Sequence, residues 1–421
     1  MAGVRNAESL VAVAYISHAT PAESRFDRVG VHRGGAAFAR GVLVGVAGAE
    51  SLEVEAISAE PMASFPRCKQ LWVTGRGYQV SPSVRTRGLP FMNLTPLKQV
   101  MIAIGTAVRL IVWRARSWRA RSHIVLLFNL TVPPIAVVWA VSRLLGVRVA
   151  AYVVDVSVPG QTVPNTTLHR LDAWLQRRYL PRLDALVGIT DQIATLAPCV
   201  PFIRIDGGLD HAWLHQPPSA GGCTGRGQHE FLLVVAGKLC EYNGIPEICE
   251  TMNLIEDMNL RLIVAGQGPL EDFVRAAARR DSRIRYDGYL DRMAVARLYA
   301  RADALISMRI VSRLDTRYAF PSKTMECLAS GVPVIATATG HLSSEYGDKC
   351  IVLVDDSPEA LRDAIGLVRA MSAQDRVRIG ASAATYIREQ KSWESQGRRI
   401  AAFLSAHSPR PVSAGDRGHR K

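Results

Sequence analysis

Residues 318–337 read YAFPSKTMECLASGVPVIAT, and the punctuation of that stretch decides the reading of everything around it. Pro321 suits the first position of a helix, where its missing N–H would be unpaired in any residue. Ser322 and Lys323 then leave free backbone donors at the positive end of the helix dipole, a place where an anion can sit. Gly331 supplies a left-handed stop, and VPVIAT reads as a short buried strand with Pro333 near its start. Glu326 falls about one turn into this helix. On this stretch alone it is either a ligand-facing carboxylate or a surface glutamate on a core-packed helix.

Working outward, the same alternation of short apolar runs and helical patterns fills residues 230–400. Strands are expected at 231–239, 260–268, 283–290, 303–310, 332–337 and 350–355. The first half repeats the pattern, with strands expected at 10–17, 52–58, 123–130, 147–155, 183–190 and 201–208, and helices near 35–48, 96–121, 133–145, 165–181 and 190–196. Strands alternating with helices at this spacing build parallel sheets, so two α/β units in series follow. The Gly/Pro/Ser-rich segment HQPPSAGGCTGRGQHE at 215–230 reads as the linker between them. The organisation expected is a basic, membrane-facing acceptor domain over 1–212, a linker over 213–229, a nucleotide-sugar domain over 230–385, a helix returning to the first domain over 386–408, and a polar tail over 409–421.

At 421 residues and 48% hydrophobic composition, the chain supports two cores. Its seven cysteines are odd in number and contain no C-x-x-C pair, which argues against a disulfide framework and a zinc site and suits a reducing cytosol. The apolar run LVAVAYI follows Glu8 and lacks a small-residue cleavage site, so it reads as a first strand and not as a signal peptide. Residues 124–142 carry no charge over nearly the length of a membrane span, but NLTVPP interrupts them and divides them into a strand and a helix.

The net charge of +14 is unevenly spread. Residues 1–210 hold 23 Lys and Arg against 13 Asp and Glu, and between Glu60 and Asp155 there is no acidic residue and thirteen basic ones. Five of these, Arg109, Arg114, Arg116, Arg119 and Arg121, stand beside Trp113 and Trp118 in RLIVWRARSWRAR. Cations with interleaved indoles fit an anionic membrane surface. A nucleic-acid face, or a merely solvated basic helix, would show the same residues.

In open α/β sheets ligands bind beyond the carboxyl ends of the strands. Three loops of the second half carry suitable residues there. VVAGKLCEYNG ends a strand with Gly237 and Lys238, followed by Asn243 and Gly244; IVAGQGP ends another with Gly266, Gly268 and Pro269; and AFPSK opens the helix described above. Small residues let backbone approach a diphosphate, and Lys238 offers it a charge. Singly, each is also an ordinary turn or a solvated lysine.

Taken in order, AGKL, YNGI, LIVAGQGP, YDGYL, LYARADALIS and FPSKTMECLASGVPVIAT resemble the donor domain of the family 4 retaining glycosyltransferases. The first half resembles that family more loosely, in GGAAFARGVLVG, VVDVSV and FIRIDGGLD. The resemblance implies an α/β fold of GT-B architecture, two Rossmann-like domains whose parallel sheets face a central cleft. It implies a nucleotide-diphosphate sugar, UDP- or GDP-linked, as donor, with no other cofactor and no metal, and it makes Glu326 the residue that holds the ribose hydroxyls. Gly34, Gly35, Lys238, Asn243, Gly244, Gly266, Gly268, Pro269, Tyr289, Leu290, Tyr318, Phe320, Pro321, Ser322 and Lys323 would complete the donor site. The sequence departs from the family at Tyr318, where a sugar-contacting glutamate is common, at Asn243, where a diphosphate-binding lysine is, and at Asn129, where several members have a histidine. A lysine lost at 243 would be offset by Lys323. Lys238 and Lys323 would stabilise the departing diphosphate. Asp155, at a strand end, is the candidate base, and equally a carboxylate that caps the following turn. The implied activity is metal-independent transfer, with retention, to a lipid-linked or polysaccharide-precursor acceptor at the cytoplasmic face of the cell membrane, with no nucleic-acid partner. An epimerase of the same fold and a non-catalytic membrane-bound partner of another transferase are the competing readings.

Overall fold

A computed structural model describes residues 10–21, 33–81, 84–130, 135–156, 167–214, 230–313, 315–320 and 322–407. Most of the expected linker, the tail from 408 onward and Pro321 lie outside these residues. Met1–Gly208 with Trp393–Lys421 forms one unit, and Leu209–Ser392 the other.

The first unit is built on one sheet whose strands stand in the order Phe202–Arg204, Ala185–Gly188, Arg148–Val153, Ser122–Phe128, Val11–Ser17, Leu52–Ser58, Val84–Gly88 and Gln79–Ser81. All neighbours are parallel except the last pair. Every residue of Val11–Ser17 is buried, as a strand covered on both faces requires. The helix Arg33–Ala47 is tied down by the Tyr15 hydroxyl, which donates to the Ala39 carbonyl at 2.9 Å. The helix Trp393–Ala406 packs in this unit, with Trp393 edge-on to Phe38 at 5.0 Å.

Several expectations change here. Residues 59–95, assigned no element from sequence, hold four short strands, Trp72–Val73, Gln79–Ser81, Val84–Gly88 and Phe91–Met92. Residues 191–196 form a 3₁₀ helix. The expected helix over 96–121 runs Leu97–Arg116 and stops where Ser117 Oγ and its N–H both turn back to the Trp113 carbonyl, each at 2.9 Å. The uncharged run 124–142 is divided between the strand Ser122–Phe128 and the helix Ile135–Leu144. Among the described residues no helix is long and apolar enough to cross a membrane.

The second unit holds a six-stranded parallel sheet in the order Ile284–Gly288, Leu260–Gln267, Phe231–Lys238, Ala304–Ser307, Val334–Thr337 and Ile351–Leu353. The chain therefore builds outward from Phe231–Lys238 in one direction, then returns to its other side at Ala304–Ser307. Between these two strands the winding reverses, which opens a crevice at their carboxyl ends. The strands expected in this half are all present, each shortened by one to three residues at one or both ends, most at 303–310, which ends at Ser307.

Candidate active site

That crevice holds a pocket lined by Gly237 and Lys238 from the first strand, Ser307 at the end of the second with Met308 and Arg309 just past it, Asn243 and Ile245 from the helix start between the strands, and Lys323 and Cys327. The last two come from the helix Ser322–Ala329, which Gly331 ends in the left-handed conformation at φ 77°. The Ser307 and Thr324 hydroxyls meet at 2.7 Å and fix this helix to the strand end.

Gly237 shows why the sequence places a glycine before Lys238. Its φ of 155° suits few other residues, and a Cβ there would stand 2.4 Å from Lys323 Nζ. Lys323 instead lies across the bare backbone and donates to the Ala236 carbonyl at 3.3 Å. The residue is exposed over part of its side chain, yet surrounding protein desolvates the ammonium and lowers its pKa, and the neighbouring Glu326 carboxylate only partly offsets this. Gly237→Ala is expected to cost about 1–2 kcal/mol through backbone strain and to displace Lys323, readable as a lowered unfolding midpoint. An unchanged midpoint would count against this packing.

Glu326 is half-buried, and burial raises its carboxyl pKa, opposed by Lys323 and Arg292. Among the described residues nothing hydrogen-bonds to its carboxylate, which leaves it able to accept hydroxyls. Arg292 is itself paired with Asp210. Cys327 is no candidate nucleophile, since burial pushes its thiol up to about 12.

Lys238 is exposed, its Nζ 5.4 Å from the Tyr242 ring centre, and interaction with that phenol raises its pKa. Asn243 turns back on the same loop, its Nδ2 donating to the Lys238 carbonyl at 2.7 Å. Gly244 closes the turn in the left-handed region. Gly266 and Gly268 are required by neighbouring backbone: a Cβ at 266 would stand 1.7 Å from the Gly237 carbonyl oxygen and one at 268 would stand 2.2 Å from that of Leu239. Pro269 follows in the same turn, and Tyr289 and Leu290 lead from the strand Ile284–Gly288 to Asp291, which caps the next helix through the Ala294 N–H at 2.8 Å.

Tyr318 is half-buried at the end of a 3₁₀ turn. Phe320 is buried and stacked on His341 at 4.7 Å and on Tyr346 at 5.5 Å, so only its backbone is available to a ligand. Ser322 is exposed in the first turn of its helix.

Two candidates belong to the first unit. Gly34 and Gly35 lie in the first turn of Arg33–Ala47. Asp155 is exposed beyond the strand Arg148–Val153, and Asn129 explains its position. Asn129 has a φ of 58°; its Oδ1 accepts from the N–H groups of Val154 at 2.8 Å and Asp155 at 3.2 Å, while its Nδ2 donates to Asp155 Oδ2 at 3.3 Å. Asn129 is thus a clamp on the Asp155 loop.

Arg309 was not legible as a site residue. It stands two residues past the strand Ala304–Ser307, half-buried, its guanidinium 5.3 Å from the ring of the same Tyr242 that faces Lys238. An arginine just past a strand at the switch point, in ISMRI, was the available signal.

Residues 230–369 match the model of the family described as glycosyl transferases group 1. The match falls within the second unit and covers about a third of the chain. The chain as a whole has the GT-B fold: it is similar to sucrose-phosphate synthase from Thermosynechococcus elongatus, at 14% identity and TM-score 0.68 over 94% of this chain and 98% of that one. It is also similar to Anabaena HepE solved with UDP, at 15% identity and TM-score 0.63 over 94% and 99%. WaaG, a glycosyltransferase involved in lipopolysaccharide biosynthesis, matches at 15% identity and TM-score 0.59 over 94% and 100%. A sequence comparison with the curated proteins finds no match.

Proposed function

We propose that the protein transfers a sugar from a nucleotide-diphosphate donor, UDP- or GDP-linked, with retention at the anomeric carbon and without a metal ion. One observation carries the reading. Lys238 and Lys323 converge on the switch-point pocket while Glu326 keeps an unbonded carboxylate one turn into the helix behind it. Cations suit the diphosphate, and a carboxylate that accepts two hydroxyls suits the ribose. The relative HepE was solved with UDP, which supports the same ligand class here. In the reaction the bond between the anomeric carbon and the diphosphate oxygen breaks, the acceptor hydroxyl oxygen bonds to that carbon, and its proton leaves. The charge gathering on the diphosphate falls to Lys238 and Lys323. We assign the leaving proton to Asp155.

The acceptor we propose is a lipid-linked or polysaccharide-precursor saccharide at the cytoplasmic face of the cell membrane. The likeness to WaaG and the surface of the first unit both support this. On the helix Leu97–Arg116, Ile102, Leu110 and Trp113 are buried, yet Leu97, Val100, Ile104, Val108 and Ile111 form a second apolar stripe that is 42–59% exposed. Phe65, Leu71 and Trp72 add exposed apolar surface beside its N-terminal end, where the Asn93 N–H donates to the Leu71 carbonyl at 2.7 Å. The sequence expectation of two interfacial tryptophans needs correction, since Trp113 is in the core and only Trp118 is exposed, with Arg119 over its ring at 4.8 Å. Lys98 is also buried, donating to the Met62 carbonyl at 2.7 Å, and takes no part in a basic surface.

Glu326→Ala is expected to weaken UDP or GDP binding by about 1.5–3 kcal/mol with the fold intact, by calorimetry and circular dichroism. Unchanged affinity would remove Glu326 from the ribose site. Transfer or donor hydrolysis by the purified protein distinguishes an enzyme from a non-catalytic partner, and interconversion of free nucleotide sugars without acceptor would instead indicate an epimerase.

A further inference from the structure

Resting on the donor reading just given, we infer that Arg309 is a diphosphate-binding residue, supplying the second strong cation that position 243, an asparagine, does not.

The geometry carries this. Arg309 and Lys238 stand against one ring, that of Tyr242, at 5.3 and 5.4 Å, and Lys323 lines the same pocket from the third side. The three are close enough for Arg309 to disfavour protonation of both lysines. Among the described residues no carboxylate pairs with the Arg309 guanidinium, although surrounding protein desolvates it. A half-buried arginine without an anion is costly, and two lysines beside it raise that cost. The arrangement becomes favourable when a ligand brings two or more negative charges. A guanidinium also presents its donors as a planar fork that matches phosphate oxygens, which the ammonium groups of Lys238 and Lys323 cannot do.

The arginine is also held in place. Its backbone N–H donates to Thr337 Oγ1 at 2.8 Å, and the Ile310 N–H donates to the Tyr242 carbonyl at 3.2 Å, so the loop bearing Arg309 is fastened to both the adjacent strand and the Tyr242 turn. Asn243 cannot take this role while its amide is turned onto the Lys238 carbonyl. The chain therefore reaches the diphosphate position from the opposite wall of the pocket, through the strand across the switch point.

Calorimetric titration of the full chain with UDP, GDP, UMP and GMP tests the assignment. The Arg309→Gln variant should lose roughly 10- to 100-fold in affinity for the diphosphate that wild type prefers, and at most a few-fold for the matching monophosphate. Arg309→Lys keeps the charge and should retain an intermediate affinity, and it covers the case in which the glutamine variant fails to fold. Diphosphate affinity unchanged in either soluble variant would overturn the inference while leaving the donor site standing. Equal loss of mono- and diphosphate would overturn it too, as a packing role. Wild type that binds none of the four nucleotides would bring down the donor reading and this inference together.

Discussion

Lys323→Ala is expected to lower sugar transfer by about 10²–10³-fold, chiefly in kcat, with the fold intact. The ammonium lies over the bare backbone of Gly237 in a partly desolvated pocket, where charge on a departing diphosphate is screened less than in open water. Its only hydrogen bond among the described residues, 3.3 Å to the Ala236 carbonyl, is weak, so little native structure depends on it. Lys238→Ala should have a smaller effect, because protein desolvates that ammonium far less than that of Lys323. The sign of the pH dependence follows. Desolvation lowers the folded pKa of Lys323 below its unfolded value, so its protonation costs the free protein stability; that cost is complete below the folded pKa and is lost as pH rises from there to the unfolded value. A bound diphosphate favours the charged form, so it should bind less tightly as pH rises above the folded pKa of the free protein. Steady-state kinetics and nucleotide titrations across pH check both points. Wild-type kcat in a destabilised Lys323→Ala variant would make the lysine structural.

The residues that were legible and those that were not differ in physical kind. Parallel strands buried on both faces must be nearly continuous apolar runs, and FLLVVAG and LRLIVAG are such runs, each ended by a glycine that the close backbone demands. The helix Ser322–Ala329 was legible from local punctuation. Val84–Gly88 was not, because Arg85 and Arg87 alternate with Val84 and Thr86 at a sheet margin and resemble a basic loop. Asn243 was legible as a departure, but the cation facing the same space lies 66 residues away on another strand, and only the strand order brings Arg309 there. Trp113 was misread because a helix with apolar residues on two faces gives no sequence signal for which face the protein covers.

That two-faced helix leads to the other large effect. Replacing Val100, Ile104, Val108 and Ile111 by serine should reduce binding to vesicles containing anionic lipid by roughly 10²–10³-fold, since each side chain moving its exposed half out of water contributes about 1 kcal/mol. Folding should survive, because the packed face of the helix carries Ile102, Thr106, Leu110 and Trp113 instead. Arg116→Gln, Arg119→Gln and Arg121→Gln together should weaken binding as well, by about 1 kcal/mol per charge, but only at low salt, because screening sets in within about 10 Å at 0.1 M. Arg114 is left out of this set because its Nε is buried. Co-sedimentation with neutral and anionic vesicles at two salt concentrations separates the contributions. An interface that inserts its stripe keeps some affinity for anionic vesicles at high salt in the arginine variant and loses it in the serine variant. A nucleic-acid face would behave in the opposite way, since aliphatic side chains add nothing to phosphate contacts and salt would abolish all binding. Serine substitutions that left vesicle binding unchanged would refute the membrane role of this helix, whereas donor binding in the second unit should be the same in every one of these variants.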